Sequence, residues 1–215
     1  ALKCTLDFPD VPAISWKIKT VPDSLASTLS PAFFLTPPLD ISEENIIYVN
    51  PAYEPDEKEL VTTLAHEGYP GHLYQNTFES SLPPIRSLFY IGGYTEGWGL
   101  YSELYAYDFL GYSTETASAL RALSFLNYAI CSVLDLEVHT SGWTEEDCSN
   151  YLQSFGITDA EQAHSLYLTI LEEPANYLKY YLGYLEICKL KESAFALSPD
   201  LSLIEFHRWF LEEGP

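Results

Sequence analysis

Ala65-His66-Glu67-Gly68-Tyr69-Pro70-Gly71-His72 sets two histidines and a glutamate around a proline and two glycines. Upstream, Leu60, Val61, Leu64 and Ala65 recur at helical spacing, so His66 and Glu67 fall at the end of an amphipathic helix. A His-Glu pair there suits a zinc hydrolase. The imidazole serves a metal, and the neighbouring carboxylate takes a proton from water. The usual partner is a second histidine four residues on. Here it is six on, and six residues of ideal helix turn about 600°, which leaves His72 roughly 120° around the axis from His66. Pro70 donates nothing to the carbonyl of His66 and clashes with it, so a regular helix cannot run through. Gly68 and Gly71 tolerate the unusual dihedrals that a break needs. The expectation is a helix distorted between Gly68 and Gly71 that returns His72 to the metal of His66. The alternative is a helix ending at Gly68, with two unrelated surface histidines.

The second segment is Glu96-Gly97-Trp98-Gly99-Leu100-Tyr101-Ser102-Glu103. Glu96 and Glu103 are seven apart and share one helical face, about 10 Å apart along the axis. Gly99 between them costs a helix interior about 1 kcal/mol against Ala, and a close helix–helix approach would explain it. A carboxylate from a second helix is the expected third zinc ligand. Glu103 would then hold a ligand histidine from behind. The competing reading is two solvated acids in a very acidic chain.

The chain has 215 residues, 47% of them apolar, enough for one substantial domain with a real core. Its net charge of −21, from 10 basic and 31 acidic residues, argues against nucleic acid or anionic membrane as partners. The charge serves solubility, or marks an acidic cleft that favours cationic substrates or holds a metal. No apolar run approaches the roughly 20 residues of a membrane-spanning segment. Cys4, Cys131, Cys148 and Cys188 are widely spaced without a CxxC pair, so no disulfide framework is expected. Cys131 and Cys188 lie in apolar helical patterns and read as buried thiols. The chain opens at Ala1 without Met or a signal-peptide pattern, and reads as a fragment of a longer protein.

Residues 1–54 are β-like, with strands expected over 14–19, 32–36 and 45–50 and a break at Pro37-Pro38. Residues 55–215 read as helical. Pro55-Asp56-Glu57 makes a first turn, and further helices cover about 94–110, 113 or 114 to 139, Thr144 to near Gly156, and a stretch from Asp159. A long aromatic helix opens at Pro174 and carries Tyr177, Tyr180, Tyr181 and Tyr184; a short one covers 201–211. The fold class is therefore mainly α with a small amino-terminal sheet, one domain over 1–215.

His-Glu-Gly-Tyr-Pro-Gly-His-Leu-Tyr-Gln resembles the HExxPGHxxQ signature of the bacterial family known as domain of unknown function 885, and Glu96 to Glu103 resembles its EGWxxYxE signature. The likeness continues through Asp135 to His139, Gly142-Trp143-Thr144, Pro174 to Gly183 and Phe206-His207, covering the chain from about residue 35. It is that of the carboxy-terminal catalytic half. It implies a zincin-like metallopeptidase domain of the glutamate-zincin type, with one Zn2+ per chain. His66, His72 and Glu96 would be its ligands and Glu67 the general base. His139 and Tyr180 fall where the family keeps a histidine and a tyrosine, as candidates to hydrogen-bond the oxyanion or substrate. Many members are exported or lipoproteins. Where the family has an arginine eight residues before that histidine, this chain has Cys131; Arg86 is a candidate substitute.

The strand 45–50 precedes the zinc helix and is a candidate edge for an extended peptide substrate. Zinc-dependent peptide hydrolysis is thus the leading reading. Its rivals are a metallohydrolase of another amide or ester, and a non-catalytic or incomplete peptide-binding fragment on which the missing amino-terminal part of the same protein would pack.

Overall fold

The structure, a computed structural model, describes residues 4–27, 29–38, 44–53, 57–80 and 82–214. It is mostly helical, with a three-stranded sheet near the amino terminus. The strands are β1 (Trp16–Thr20), β2 (Ala32–Leu35) and β3 (Asn45–Val49). Their order is β1-β3-β2, with β1 parallel and β2 antiparallel to β3. The candidate edge strand 45–50 is therefore the central one. Ile46 and Ile47 make it the buried strand, and the edges fall to its neighbours. The alternation of β1 buries nothing: all five of its residues are exposed, Trp16 and Ile18 at 56% each.

The helices are α1 (Cys4–Asp7), α2 (Glu57–Glu67), α3 (His72–Glu79), α4 (Gly92–Ala106), α5 (Thr114–Ser141), α6 (Glu145–Gln153), α7 (Ala160–Glu172), α8 (Asn176–Leu197) and α9 (Leu203–Glu213). The first turn expected at Pro55-Asp56 lies outside the described residues. Side-chain caps explain why the later boundaries follow the sequence. Ser113 caps α5 and Asp159 caps α7, while Thr144 with Asp147 and Ser202 with Glu205 form capping boxes for α6 and α9. Gly142, in the left-handed region at φ 72°, ends α5. The sequence did not announce α1 or the 3-10 turn Asp23–Leu25.

Among the described residues, two clusters form the core. One gathers Phe8, Tyr74, Trp98, Tyr101, Phe206 and Phe210 around α4 and α9. The other gathers Ile130, Leu134, Val138, Cys148, Leu152 and Ile170 between α5, α6 and α7. Cys148 is the buried thiol of the described cysteines, while Cys131 and Cys188 are only half-buried. All three are free. α4 crosses α8 so closely that a Cβ on Gly97 would sit 2.5 Å from a backbone atom of Gly183.

Contrary to the composition-level expectation, α5 is long and apolar enough to cross a membrane by length and hydropathy. Its apolar residues lie on both faces: Ile130, Leu134 and Val138 inward, Leu123, Leu126 and Leu136 outward. It packs on α7 and α8 and carries Arg121, paired with Asp108, and Asp135, which accepts from the first turn of α8.

His207 on α9 ties the first core cluster together. Its Nδ1 donates to the carbonyl of Asp7 at 2.6 Å, so its Nε2 accepts from the Tyr101 hydroxyl at 2.9 Å. That hydroxyl in turn accepts from Lys191 at 3.2 Å, and the Phe8 ring stacks on the imidazole. This arrangement suits the neutral ring. Burial, and the Lys191 charge nearby, lower the His207 pKa from 6.5 to about 4, against a smaller opposing effect of the Asp7 carbonyl. The unfolded chain therefore takes up a proton that the folded chain refuses. The His207 contribution is complete above pH 6.5 and is lost as pH falls toward 4. It amounts to about 3 kcal/mol. Denaturant unfolding measured from pH 7.5 to 4 is expected to show this extra loss in the wild type relative to His207→Gln.

Candidate metal centre

α2 ends at Glu67, where the Gly68 N–H still reaches the Leu64 carbonyl at 2.8 Å. The chain turns through Gly68–Gly71 with a cis Tyr69–Pro70 bond, and α3 starts afresh at His72. The expected distortion is thus a full break. The Trp98 indole of α4 clamps it by donating to the Pro70 carbonyl at 2.8 Å. A side chain at Gly71 would collide with the His66 carbonyl. The result is not two unrelated surface histidines. His66 is 6% exposed, and the rings of His66 and His72 lie 4.7 Å apart at 83°.

Both rings sit on Gly99. A Cβ there would lie 2.6 Å from His66 Nε2 and 2.9 Å from His72 Cε1. The glycine therefore makes room for imidazoles, not for the close helix–helix approach expected of it; that approach belongs to Gly97 and Gly183. Glu96 and Glu103 flank the gap. Glu103 Oε2 lies 3.1 Å from His66 Nδ1, and the Tyr128 hydroxyl donates to it at 3.3 Å. Glu96 Oε2 lies 3.3 Å from His72 Nε2 and 3.8 Å from His66 Nε2. The other oxygen of Glu96 accepts from the Tyr90 hydroxyl at 3.1 Å and pairs with Lys179 Nζ at 3.7 Å.

The electrostatics follow. Burial disfavours a charged His66, but the hydrogen bonds of Glu103 and Glu96 outweigh it and raise its pKa from 6.5 to about 10. Burial opposes ionisation of Glu96, yet His66 and His72 hold it well below the usual carboxylate range. Burial first, then Glu96, pushes the Tyr180 phenol up, so it stays protonated at neutral pH.

The residues fit a borderline cation. The ligand atoms of His66, Glu67 and His72 lie within 4.8 Å of one another, and Glu96 Oε2 is closer still to both imidazoles. Glu103 on Nδ1 leaves His66 Nε2 to the cluster. His72 Nδ1 is buried and finds no hydrogen-bond partner among the described residues.

Glu67 holds a contact that sequence spacing does not reveal. Its Oε2 accepts the backbone N–H of Phe34 on β2 at 2.7 Å. Asn50 donates to the Pro31 carbonyl, and Ala32 pairs with Val49. By strand alternation, the N–H and C=O groups of Ala32 and Phe34 then point away from β3. The edge beside the site is therefore β2, not strand 45–50. Ala32, Glu59, Thr63, Ser124 and Asn127, with His66, Glu67 and Tyr180, line a cleft of about 690 Å³.

Tyr180 enters this cleft with its ring 5.9 Å from that of His66. His139 does not line it. Its Nδ1 sits on Asp135 instead, 2.8 Å from the carbonyl and 3.2 Å from Oδ1. Asp135 is the residue that sequence reasoning passed over. It is 1% exposed and accepts from the backbone N–H groups of Ala175 and Tyr177, at 2.9 and 3.1 Å. It thereby caps α8 from another helix, and only the i,i+4 spacing of Asp135 and His139 hinted at it. Arg86 does not stand in at Cys131, because its guanidinium donates to the carbonyl of Glu212 in the last turn of α9.

Residues 3–215 match the model of a family described as bacterial protein of unknown function (DUF885). Comparison with the curated proteins finds no match. Among solved structures, the chain is similar to a candidate lipoprotein from Colwellia psychrerythraea. The TM-score is 0.83 and the identity 28%, over 100% of this chain and 38% of that one. It is also similar to a candidate lipoprotein of unknown function from Shewanella oneidensis, at a TM-score of 0.77 and 22% identity, over 99% of this chain and 40% of that one. The chain thus spans well under half the length of either.

Two substitutions test the geometry. Ala175 sits in the left-handed region at φ 66°. Ala175→Gly is expected to raise unfolding stability by about 0.5–1 kcal/mol in denaturant titration. Gly99→Ala is expected to cost about 1–3 kcal/mol and to displace the histidine ring resonances in NMR spectra, because neither imidazole can give way without losing its carboxylate.

Proposed function

The chain belongs to the family of bacterial proteins of unknown function, DUF885, and from that premise we propose that it is the catalytic part of a zinc-dependent peptide hydrolase. The observation that carries the reading is the convergence of His66, His72 and Glu96, with Glu67 beside them. Zinc on that donor set would supply a Lewis acid for the scissile carbonyl and lower the pKa of water.

The chain's own residues do the rest. Glu67 is the general base: it takes the proton from the attacking water and delivers it to the leaving amine. The Phe34 N–H holds one of its oxygens and leaves the other to the proton. The Tyr180 phenol, kept protonated by burial and Glu96, donates toward the developing oxyanion. Glu103 fixes the His66 tautomer. His139 acts through Asp135, which sets the start of the helix that presents Tyr180. The outward N–H and C=O of Ala32 give an extended peptide a rung to pair with in the cleft.

The incomplete-fragment reading also has an observation behind it, since this chain covers only 38% and 40% of its two similar structures. Exposed Ile85, Leu88, Phe89 and Ile91 offer an apolar surface on which further chain of the longer protein would pack. The candidate-lipoprotein description of both similar structures favours an exported location.

Glu67→Gln is expected to lower peptide cleavage about 10³-fold while zinc content, read by metal analysis, stays at one per chain. His66→Ala and His72→Ala are expected to lose the zinc. Cleavage retained by Glu67→Gln would remove Glu67 from the base role. Stoichiometric zinc with no turnover on any peptide of a library would favour the incomplete-fragment reading.

A further inference from the structure

The two oxygens of Glu96 live in different surroundings. Oε2 faces the two imidazoles, at 3.3 and 3.8 Å. Oε1 is held from outside by the Tyr90 hydroxyl at 3.1 Å and the Lys179 ammonium at 3.7 Å. Neither residue belongs to the ligand and base set. Tyr90 lies just before α4, and Lys179 lies on α8, one residue before Tyr180. The Lys179 stem is confined, since a Cβ on Gly92 would come within 3.3 Å of its Cβ and Cδ. The ammonium therefore reaches Glu96 because α4 and α8 pack closely, and not as a free surface charge.

We propose that Lys179 and Tyr90 are positioning residues that hold the outer oxygen of Glu96, so that this carboxylate offers a metal Oε2 alone. The inference rests on the zinc reading. A carboxylate free on both sides turns to clasp a dication with both oxygens, a common mode for Asp and Glu ligands. The second oxygen would then compete with water for the metal. The Tyr90 hydrogen bond and the Lys179 ion pair on Oε1 oppose that turn. Affinity alone cannot report this effect. Removing Lys179 loosens the ligand but also removes a positive charge that repels the metal, and the two changes have opposite signs. Coordination geometry separates them.

The test uses the full chain loaded with Co2+, whose visible absorption is intense at low coordination number and weak when a further ligand enters. The wild type is expected to show the intense band. Tyr90→Phe, Lys179→Met and their combination are expected to weaken it progressively. With zinc, the double variant is expected to lose about tenfold in kcat, with KM changed less than about twofold. Lys179→Arg is expected to retain both band and kcat. Tyr90 is 67% exposed, so Tyr90→Phe keeps the test decisive should the double variant fail to fold. A double variant with the wild-type band and kcat would overturn the proposal while leaving the zinc reading in place. A wild type that takes up neither Co2+ nor Zn2+ would overturn both.

Discussion

Two imidazole rings rest on the bare backbone of Gly99, and the rest of the centre is built around that contact. Counting along α4, Glu96 is three residues before the gap and Glu103 four after, so all three share one helical face. The face reads carboxylate, gap, carboxylate. His66 bridges it, with Nδ1 on Glu103 and Nε2 toward Glu96. His72 reaches the same gap only because the chain breaks between Gly68 and Gly71. The indole of Trp98, one residue from Gly99, holds that break in place. The motif Glu96 to Glu103 is thus one helix surface that receives the ends of two others.

Such a cluster is expensive to bury. Three carboxylates, from Glu67, Glu96 and Glu103, surround two imidazoles with little solvent, and positive charge must offset their lost hydration. The raised pKa of His66 is the chain's own answer, a proton held between Glu103 and Glu96. A dication held by the two histidines would satisfy the same carboxylates with more charge, taking the place of protons as metal binding generally does. By contrast, burial around His207 favours the neutral ring and outweighs the pull of Asp7, whose carbonyl accepts from its Nδ1. The same residue type is driven in opposite directions, by carboxylates at 3.1 and 3.8 Å in one place and by burial in the other.

What could be read from the sequence divides along range of contact. Helix ends follow from caps within four residues, and α5, α6, α7 and α9 start where Ser113, Thr144, Asp159 and Ser202 place them. The break at Pro70 and the shared face of Glu96 and Glu103 follow from local sterics and periodicity. The remainder needed contacts between distant residues. Phe34 meets Glu67 across 33 positions, and Asp135 meets Ala175 across 40. No spacing rule reaches that far, so the strand beside the site was misassigned and Asp135 was missed. Gly99 was marked as anomalous, but its neighbours could not be named, since a helical glycine is equally consistent with a helix backbone or an imidazole against it.

The geometry of α8 shows how these long contacts combine. Gly183 fixes one point of the helix, because α4 crosses it at Gly97 without room for a Cβ. Asp135 fixes the other, by capping the first turn through Ala175 and Tyr177. Tyr180 and Lys179 lie three and four residues before Gly183, on the face that meets α4. On α4, Glu96 lies one residue before Gly97 and three after Gly93, another glycine on the crossing. The glycines that let the helices approach thus also bring Lys179 to Oε1 of Glu96 and the Tyr180 ring near His66. A larger residue at Gly97 or Gly183 would push the helices apart and carry both side chains away from the centre together. Close packing there and a shaped ligand environment here are therefore one constraint seen from two ends of the same contact.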